Sequence, residues 1–446
     1  MHKPAKDQTR DNRIMKVNSN EMLPEGYKMT ELGALPEEWE LVRLGKATKT
    51  IKGRKPNYLS QSLQEKSIPY LTAEYFRTGI PSRFVLKEGN DFIEVGKDEI
   101  VFIWDGSNAG DVFIGLDGAL ASTMIKIIPD NFIYPKFLYY FLKTTYDFLN
   151  AKTTGSTIPH INKNLFNNLS FPLPPLPEQQ KIAAVLSAVQ EAKEKTQAVI
   201  DATKALKKSM MKHLFTYGPV PPEETENVPL KETEIGKVPV EWEVVKLGEV
   251  AEIKGGKRLP KGHSFSPVPT LYPYIRIVDF YKGSVKLKNL QYLKPEDREI
   301  IKNYIITTQD VYISIAGTIG LVGTIPKDLD KANITENAAR LIILDSSKLD
   351  KLFVVGFLSS KQGQNEIIIR TTKTSQPKLA LTRIKQIPIP LPPLPVQQKI
   401  ASILSAIDAK IEAEENKKQA LEELFKTLLD NLMTAKIRVN TLDVPI

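Results

Sequence analysis

Cysteine is absent from this chain of 446 residues, and its absence excludes disulfide bonds and thiolate metal sites. A chain without cysteine fits a reducing compartment, so we expect a cytoplasmic protein. Long apolar runs are lacking too, because no window approaches the roughly 18 uninterrupted apolar residues of a membrane helix. The N-terminal stretch is polar and charged, without the apolar core of a signal peptide. We therefore predict no membrane partner.

Sequence motifs of catalysis are also missing. The chain has no Gly-x-x-x-x-Gly-Lys-Ser/Thr phosphate loop, no Gly-x-Gly-x-x-Gly, no His-Glu-x-x-His and no Pro-Pro-Tyr/Phe tetrad of amino-methyltransferases. There are only four histidines, of which His160 and His263 lie outside the terminal extension and the long helices. These absences favour a binding module over an enzyme, with no cofactor and no metal site.

Basic residues are in moderate excess. The formal net charge is +9 and the pI is near 9.2, which suits a polyanionic partner but does not by itself identify one. The composition, 41% hydrophobic and 25% charged, is that of a globular protein. The length predicts two or three domains.

Two segments of the chain each occur twice. Residues 28–45 and 231–248, here called the Trp segments, are identical at 11 of 18 positions. Residues 172–189 and 390–407 are identical at 14 of 18 positions, and each begins with Pro-Leu-Pro-Pro-Leu-Pro, here called the proline segment. The Trp segments lie 203 residues apart and the proline segments 218 residues apart. The chain is therefore a tandem pair whose second copy is longer between its repeated ends.

A long helix is predicted after each proline segment. Proline disfavours helix within the segment but is a good first helical residue. Beyond it, apolar residues recur at three-to-four spacing, through Val199 and Leu206 in the first copy and Leu421, Leu424 and Leu428 in the second. A helix of roughly 40 residues is about 60 Å long, and an apolar stripe of that length needs a partner. We predict an antiparallel coiled coil of the two helices.

The segments between the repeats, residues 46–171 and 249–389, do not align by eye. Both contain short β-branched and aromatic runs between turn signals, at residues 100–104, 124–128, 274–278, 310–315 and 340–344. Helical patterns follow at residues 135–150 and 348–368. We predict two α/β (α+β) bodies related as a pseudo-twofold internal repeat. The expected organisation is a flexible extension (1–27), a first domain (28–175), a central helix (176–217), a second domain (218–394), a C-terminal helix (395–436) and a tail (437–446).

Three loops in each body carry side chains suited to DNA. One follows the Trp segment, one follows a strong strand, and one precedes the proline segment. Lysine and arginine bind phosphates, and arginine, asparagine and glutamine bind base edges. The candidates are Lys52, Arg54, Lys55, Asn57, Tyr58, Asn108, Ser156, His160, Asn162 and Lys163 in the first body, and Lys254, Lys257, Arg258, Lys261, Thr318, Lys373, Thr374, Ser375, Gln376 and Lys378 in the second. Solvated basic loops and ordinary hairpin turns are the alternatives. Trp39 and Trp242 are expected to pack within the Trp segments.

With the repeats, the unlike bodies and the Pro-Leu-Pro-Pro-Leu-Pro-x-Gln-Gln-Lys-Ile helix starts together, the chain resembles the specificity (S) subunit of type I restriction–modification systems. The resemblance extends from Lys28 to the end of the second helix. It implies that each body is a target recognition domain for one half of a bipartite sequence in double-stranded DNA. It implies that the helices are spacers and that the repeated parts dock two adenine-N6 methyltransferase (M) subunits, which use S-adenosylmethionine. The chain itself would be non-catalytic, and the presence of two restriction (R) subunits stays open.

Two alternatives differ in class. A coiled-coil scaffold could carry bodies that bind protein or carbohydrate, and it would show no salt-dependent affinity for duplex DNA. A methyltransferase–specificity fusion is disfavoured because the methyltransferase motifs are missing.

Overall fold

The computed structural model describes residues 23–155 and 157–440. These form two compact units, of which the first contains the described residues up to Thr196 together with those from Lys417 onward, and the second contains Gln197–Asn416. Each unit therefore includes the start of one long helix and the end of the other. Residues 1–22 of the predicted extension, residues 441–446 of the predicted tail, and Ser156 lie outside the described residues.

The first unit contains two four-stranded sheets and two two-stranded ladders. Its strands are β1 (Tyr27–Thr30), β2 (Gly33–Pro36), β3 (Glu40–Arg43), β4 (Thr48–Lys52), β5 (Ser67–Leu71), β6 (Phe84–Leu86), β7 (Glu94–Val95), β8 (Ile100–Ile103), β9 (Val112–Ile114), β10 (Gly118–Leu120), β11 (Met124–Pro129) and β12 (Ser170–Leu173). Its shorter helices are α1 (Leu44–Ala47), α2 (Ala73–Thr78), α3 (Pro135–Thr144), α4 (Tyr146–Ala151) and α5 (Lys163–Asn167). The long helix α6 (Leu176–Tyr217) starts in this unit.

The second unit is built from a similar set of elements, with two more strands than the first. Its strands are β13 (Leu230–Thr233), β14 (Gly236–Pro239), β15 (Glu243–Lys246), β16 (Ala251–Gly255), β17 (Pro273–Ile275), β18 (Phe280–Tyr281), β19 (Ser284–Val285), β20 (Gln291–Tyr292), β21 (Ile305–Ile306), β22 (Val311–Ser314), β23 (Val322–Gly323), β24 (Ala332–Ile334), β25 (Ala338–Ile343) and β26 (Pro388–Leu391). Its shorter helices are α7 (Leu247–Val250), α8 (Pro295–Ile300), α9 (Lys351–Ser359), α10 (Lys361–Arg370) and α11 (Leu381–Ile384). The long helix α12 (Leu394–Met433) starts here.

The two bodies share one sheet topology although their sequences do not align by eye. The first has the strand orders β4-β11-β8-β9 and β6-β5-β10-β7, and the second has β16-β25-β22-β23 and β20-β17-β24-β21. In each body one central pair is parallel, β5 with β10 and β17 with β24. Mixed α/β bodies are therefore found as predicted, and the repeat extends through the divergent sequence.

The repeated segments pair with each other. Strand β3 of the first Trp segment pairs with β12 of the first proline segment, and β15 pairs with β26 in the second copy. The sequence disfavoured helix in the proline segments but did not predict strand. Proline is tolerated because these ladders have only two strands, so each strand has an outer edge that needs no amide donor.

A buried glutamine fixes the start of each long helix. The Gln179 side chain donates to Phe132 O and Pro174 O, at 3.0 and 2.8 Å, and accepts from the Tyr134 amide at 2.8 Å. Gln397 makes the same bonds with Lys348 O, Pro392 O and the Asp350 amide. Both are fully buried, so each helix is held against the first turn of a body helix, α3 or α9.

One end of the long helices differs from the sequence prediction. Helix α6 ends at Tyr217, the last residue of the predicted central helix, and Gly218 follows it with φ +83°. Helix α12 ends three residues before Lys436, because Ala435 adopts φ +54°. Both helices thus end one or two residues before a residue in the left-handed region, as is common at helix C-termini.

The inward face of the long helices follows alternating steps of four and three residues. In α6 it comprises 182, 186, 189, 193, 196, 200, 203, 207, 210 and 214, and in α12 it comprises 400, 404, 407, 411, 414, 418, 421, 425, 428 and 432, all buried or half-buried. The predicted stripe is wrong at Val199, Leu206 and Leu424, which are 41%, 52% and 45% exposed. The charged residues Lys193 and Glu414 also occupy inward positions. Apolar spacing therefore located most of the face, including Leu421 and Leu428, but not all of it.

Each unit has its own apolar core around its tryptophan. Trp39 is fully buried with Phe137, Phe166 and Phe171, and Trp242 packs with the core of the second unit. This confirms the packing role expected of both residues. Within residues 23–155 and 157–440, no helix has the length and apolar character needed to cross a membrane.

Candidate nucleic-acid interface

In the first unit, two of the predicted loops meet at the end of strand β8. A β-bridge joins Asp105 to His160, and the Ile161 amide donates to Trp104 O at 3.0 Å. The His160 and Thr154 backbones exchange two hydrogen bonds, at 2.7 and 2.9 Å. The loop that follows β8 and the loop that precedes the proline segment therefore form one surface.

The second unit repeats this arrangement at the end of β22. A β-bridge joins Ala316 to Lys378, and the Leu379 amide donates to Ile315 O at 3.0 Å. Thr372 receives the Lys378 amide on its side-chain oxygen at 2.8 Å and donates its own amide to Lys378 O at 3.0 Å. The same two loops thus meet in a body of different sequence.

A glycine brings the first predicted loop to the same place in each unit. Gly53 donates its amide to Met124 O and Gly256 donates to Ala338 O, both at 2.9 Å. A Cβ on either glycine would lie closer than 3.0 Å to a backbone oxygen, that of Ala121 or Thr335. Glycine is therefore required here so that the loop can approach the β-turn before β11 or β25.

Side chains in the first unit form a charged cluster at this junction. Lys52 donates to Asp105 Oδ2 at 2.8 Å, and His160 Nδ1 lies 2.6 Å from Asp105 Oδ1. The Asp105 side chain is only 12% exposed, whereas Lys52 and His160 are 54% and 49% exposed. One carboxylate, sheltered from solvent, thus holds two exposed basic groups from two different loops.

In the second unit, the first loop is held by other contacts. Arg258 pairs with Glu336 at 2.8 Å, and the Lys257 ammonium lies 5.7 Å from the centre of the Tyr304 ring. The Tyr274 hydroxyl donates to Lys257 O at 2.9 Å. Burial raises the pKa of Tyr274 to about 12, so this hydroxyl keeps its proton and its role as a donor near neutral pH.

Comparison with known proteins identifies the family of the chain. A sequence model of the type I restriction modification DNA specificity domain matches residues 36–202 and 239–423. The chain belongs to this family. The two matches include both bodies and most of both long helices of this specificity-domain protein.

Similar proteins cover nearly the whole specificity-domain chain. The type I restriction enzyme MjaVIII specificity subunit of Methanocaldococcus jannaschii is 36% identical over 94% of this chain and 97% of its own length. The putative MjaX specificity subunit of the same organism is 29% identical over 94% and 98%. The crystal structure of a type I restriction–modification S subunit from M. genitalium matches 88% of this chain and 96% of its own, with a TM-score of 0.59. At 19% identity, that structure supports the fold alone.

Most of the predicted contact residues of this specificity-domain chain are at the surface. Asn108 and Asn162 are half-buried. Asn162 accepts from the Leu165 amide at 3.1 Å and so caps α5, which gives it a structural role. The exposed candidates are Lys52, Arg54, Lys55, Asn57, Tyr58, His160, Lys163, Lys254, Lys257, Arg258, Lys261, Thr318, Lys373, Thr374, Ser375, Gln376 and Lys378.

The structure brings some of these candidates together and separates others. Lys52 and His160 share Asp105. Arg54 instead pairs with Asp91, and the Asn57 amide donates to the Asn90 side chain at 3.1 Å. The first loop of the first unit therefore runs from the junction towards residues 90–91.

The residues that sequence reasoning missed are acidic. Asp105, Asp91 and Glu336 hold basic candidates in place. A search for phosphate contacts passes over carboxylates because they repel the DNA backbone. The available signal was position, since Asp105 directly follows a strong strand and opens a turn with Gly106.

Proposed function

We propose that this chain is the DNA-sequence specificity subunit of a type I restriction–modification complex, with each body binding one half of a bipartite target. The carrying observation is that the two bodies share one topology and gather the same loops at the same place, while the side chains there differ. A duplicated frame with unlike contact surfaces suits the recognition of two different half-sites. Membership of the specificity-domain family and the names of the relatives support the same function.

The proposed division of the chain follows from this function. Residues 28–175 and 218–394 are the target recognition domains, and residues 176–217 and 395–436 are the spacer helices. The proposed contacts to DNA are the exposed candidates of the three loops, with lysine and arginine on phosphates. The net charge of +9 suits this partner.

We infer that the spacer helices form the predicted antiparallel coiled coil. Strict steps of four and three on the inward face are the pattern of a heptad repeat. In the first unit the Lys193 ammonium lies 5.2 Å from the centre of the Phe425 ring. In the second unit Lys204 pairs with Glu415 at 2.8 Å and Lys207 with Asp408 at 2.5 Å. As the residue number rises along α6, the number of its contact residue in α12 falls, as expected for antiparallel helices.

The partners we propose are two methyltransferase subunits that dock on the parts present twice, the paired strands β3–β12 and β15–β26 with the helix starts. The chain would contribute no catalytic group. The complex would methylate adenine, and nuclease activity would require additional R subunits.

Binding of the full chain to duplex DNA tests this function against a scaffold that binds protein or carbohydrate. Log affinity should fall linearly with log salt if phosphates are contacted. Genome-wide adenine-methylation mapping in cells that carry the chain with its methyltransferase should then yield one bipartite motif. A DNA affinity that does not change with salt concentration, together with the absence of such a motif, would favour the scaffold.

A further inference from the structure

We propose that three backbone positions, repeated in the two units, form the specificity-determining node of each target recognition domain. They are occupied by Lys52, Asp105 and His160 in the first unit and by Gly255, Ala316 and Lys378 in the second. This inference rests on the proposed DNA-recognition function and adds to it the residues that discriminate between bases.

Strand register establishes that the positions correspond. Lys52 pairs with Ile125 at the end of β4, and Gly255 pairs with Ala339 at the end of β16. These two partners occupy the same position in β11 and β25, each one residue after the strand residue that accepts the glycine amide.

The other two positions correspond through their bridges. Asp105 and Ala316 each follow the residue after the central strand, and each is bridged to the third loop, at His160 or Lys378. The amide of Asp105 donates to Thr123 O at 3.0 Å, in the turn before β11. The amide of Ala316 donates to Asn337 O at 3.3 Å, in the turn before β25. The backbone is therefore shared, and only the side chains differ.

In the first unit the node presents an imidazole. The Asp105 carboxylate can only accept, so a hydrogen bond at 2.6 Å requires the proton on His160 Nδ1. When the ring is neutral, it offers Nε2 as an acceptor from a half-exposed side chain. In the major groove that atom suits the amino groups of adenine N6 or cytosine N4. His160 is thus the base-contacting residue, Asp105 positions it, and Lys52 remains for phosphate.

In the second unit the node presents only an ammonium group. Lys378 is exposed, and its partners at the node, Gly255 and Ala316, have no side-chain acceptor for its protons. Lysine donates and never accepts, and its favoured base partners are O6 and N7 of guanine. The same backbone therefore selects opposite hydrogen-bonding patterns in the two half-sites.

The test is methylation mapping with variants of the full chain together with its methyltransferase. His160→Ala should lower discrimination at one base pair of one half-site roughly tenfold, and Lys378→Ala should do the same in the other half-site only. The matched controls are Lys163→Ala and Lys373→Ala, which remove exposed charges from the same loops. They should weaken binding to all sequences alike and leave both motifs unchanged.

A double variant tests whether Asp105 acts through His160. Asp105→Asn should relax the same base pair as His160→Ala, and the combined variant should lose no more discrimination than His160→Ala alone. Equal, additive losses at different base pairs would refute the positioning role. If an alanine variant unfolds at a clearly lower temperature than wild type, His160→Gln or Lys378→Gln is used in its place. The change in base preference should again be confined to one half-site.

The possible results distinguish a failure of the node assignment from a failure of the proposed function. Unchanged motifs in the variants of 160 and 378, with binding retained, would overturn the node and leave the proposed function standing. A wild-type chain that produces no bipartite motif would overturn the function itself. Conversion of the second node by Ala316→Asp with Lys378→His should move its preference away from guanine, and retention of guanine would refute the assignment.

Discussion

At the scale of single residues, the two copies differ at one informative buried position. Glu178, the first residue after the proline segment, accepts from Trp39 Nε1 at 2.9 Å and from Arg438 at 2.6 and 2.8 Å. Val396 takes this place in the second copy. Only the first unit therefore needs a cation here, and a residue close to the C-terminus of the described chain supplies it.

Removal of this cation by Arg438→Ala should destabilise the first unit by about 2–3 kcal/mol, because Glu178 would keep a buried charge without its main partner. Urea unfolding of the full chain measures the loss. Lys436→Ala is the control, since its pair with Asp430 is exposed and should contribute less than about 1 kcal/mol. Equal losses in the two variants would contradict the role of the buried pair.

The same substitution should have a pH signature. The hydrogen bond from Arg438 is the largest cause that lowers the pKa of Glu38 below its ordinary value of 4.5. A lowered carboxyl pKa stabilises the fold above the ordinary value, and this contribution disappears as the pH falls through the lowered one. The stability gap between wild type and Arg438→Ala should therefore narrow on acidification.

At the scale of elements, the sequence predicted the long helices, their starts and most of the buried face, but not every position on it. The proline segments and the spacing of Ile182 or Ile400 located the starts. Leu428 was placed correctly, whereas Leu424 is exposed and Glu414 lies inward. Apolar spacing alone cannot assign the charged positions of such a face, whereas steps of four and three include them.

Two leucines of α12 test this face. Leu428→Asp should cost about 2–4 kcal/mol, because it places a charge in the apolar cluster of the first unit. Leu424→Asp, on the same helix, should change stability by less than about 0.5 kcal/mol, since this side chain is 45% exposed. Thermal unfolding of both variants measures the difference, and similar losses would show that the inward face is wrong.

Neighbouring glycines test the close approach of the first loop. Gly256→Ala should cost about 2 kcal/mol or more, because its Cβ would overlap the Thr335 carbonyl group. Gly255→Ala should be far milder, since the nearest atom, on Leu381, would be 3.4 Å away in ordinary contact. Unfolding midpoints that fall equally in the two variants would exclude this account of Gly256.

At the scale of the whole molecule, internal repetition made the sequence informative. The paired Trp and proline segments predicted two copies of one scaffold, and mixed bodies were predicted from runs such as residues 100–104 and 124–128. The strand order was beyond reach because strands such as β7 and β21 have only two residues. The junction of the contact loops depends on bridges between residues 55 and 62 positions apart in the chain, which no local pattern reveals.

The spacer function predicts a change in the recognised sequence. The variant lacks one heptad from each helix, residues 197–203 and 416–422. The deleted residues lie between the Lys193–Phe425 contact and the Lys204–Glu415 pair. Removal of seven residues shortens a helix by about 10 Å, so the gap between half-sites should shorten by up to about three base pairs. Methylation mapping reads the gap, and an unaltered gap would refute the spacer.

A heptad deleted from α6 alone provides the control. It leaves α12 without matching inward positions, so pairing and activity should be lost together rather than the gap reset. A single deletion that behaves like the double one would show that the helices do not act as a pair.

Residues 417–440 belong to the first unit, where the Tyr27 hydroxyl donates to Ala435 O at 3.2 Å. During translation, every residue of the second unit is therefore synthesised before the last residues of the first unit. The first unit is begun first and completed last. Its core cannot be complete until Leu432 and Met433 have been synthesised. Premature termination of translation between residues 417 and 440 would consequently damage the first unit and leave every residue of the second in place.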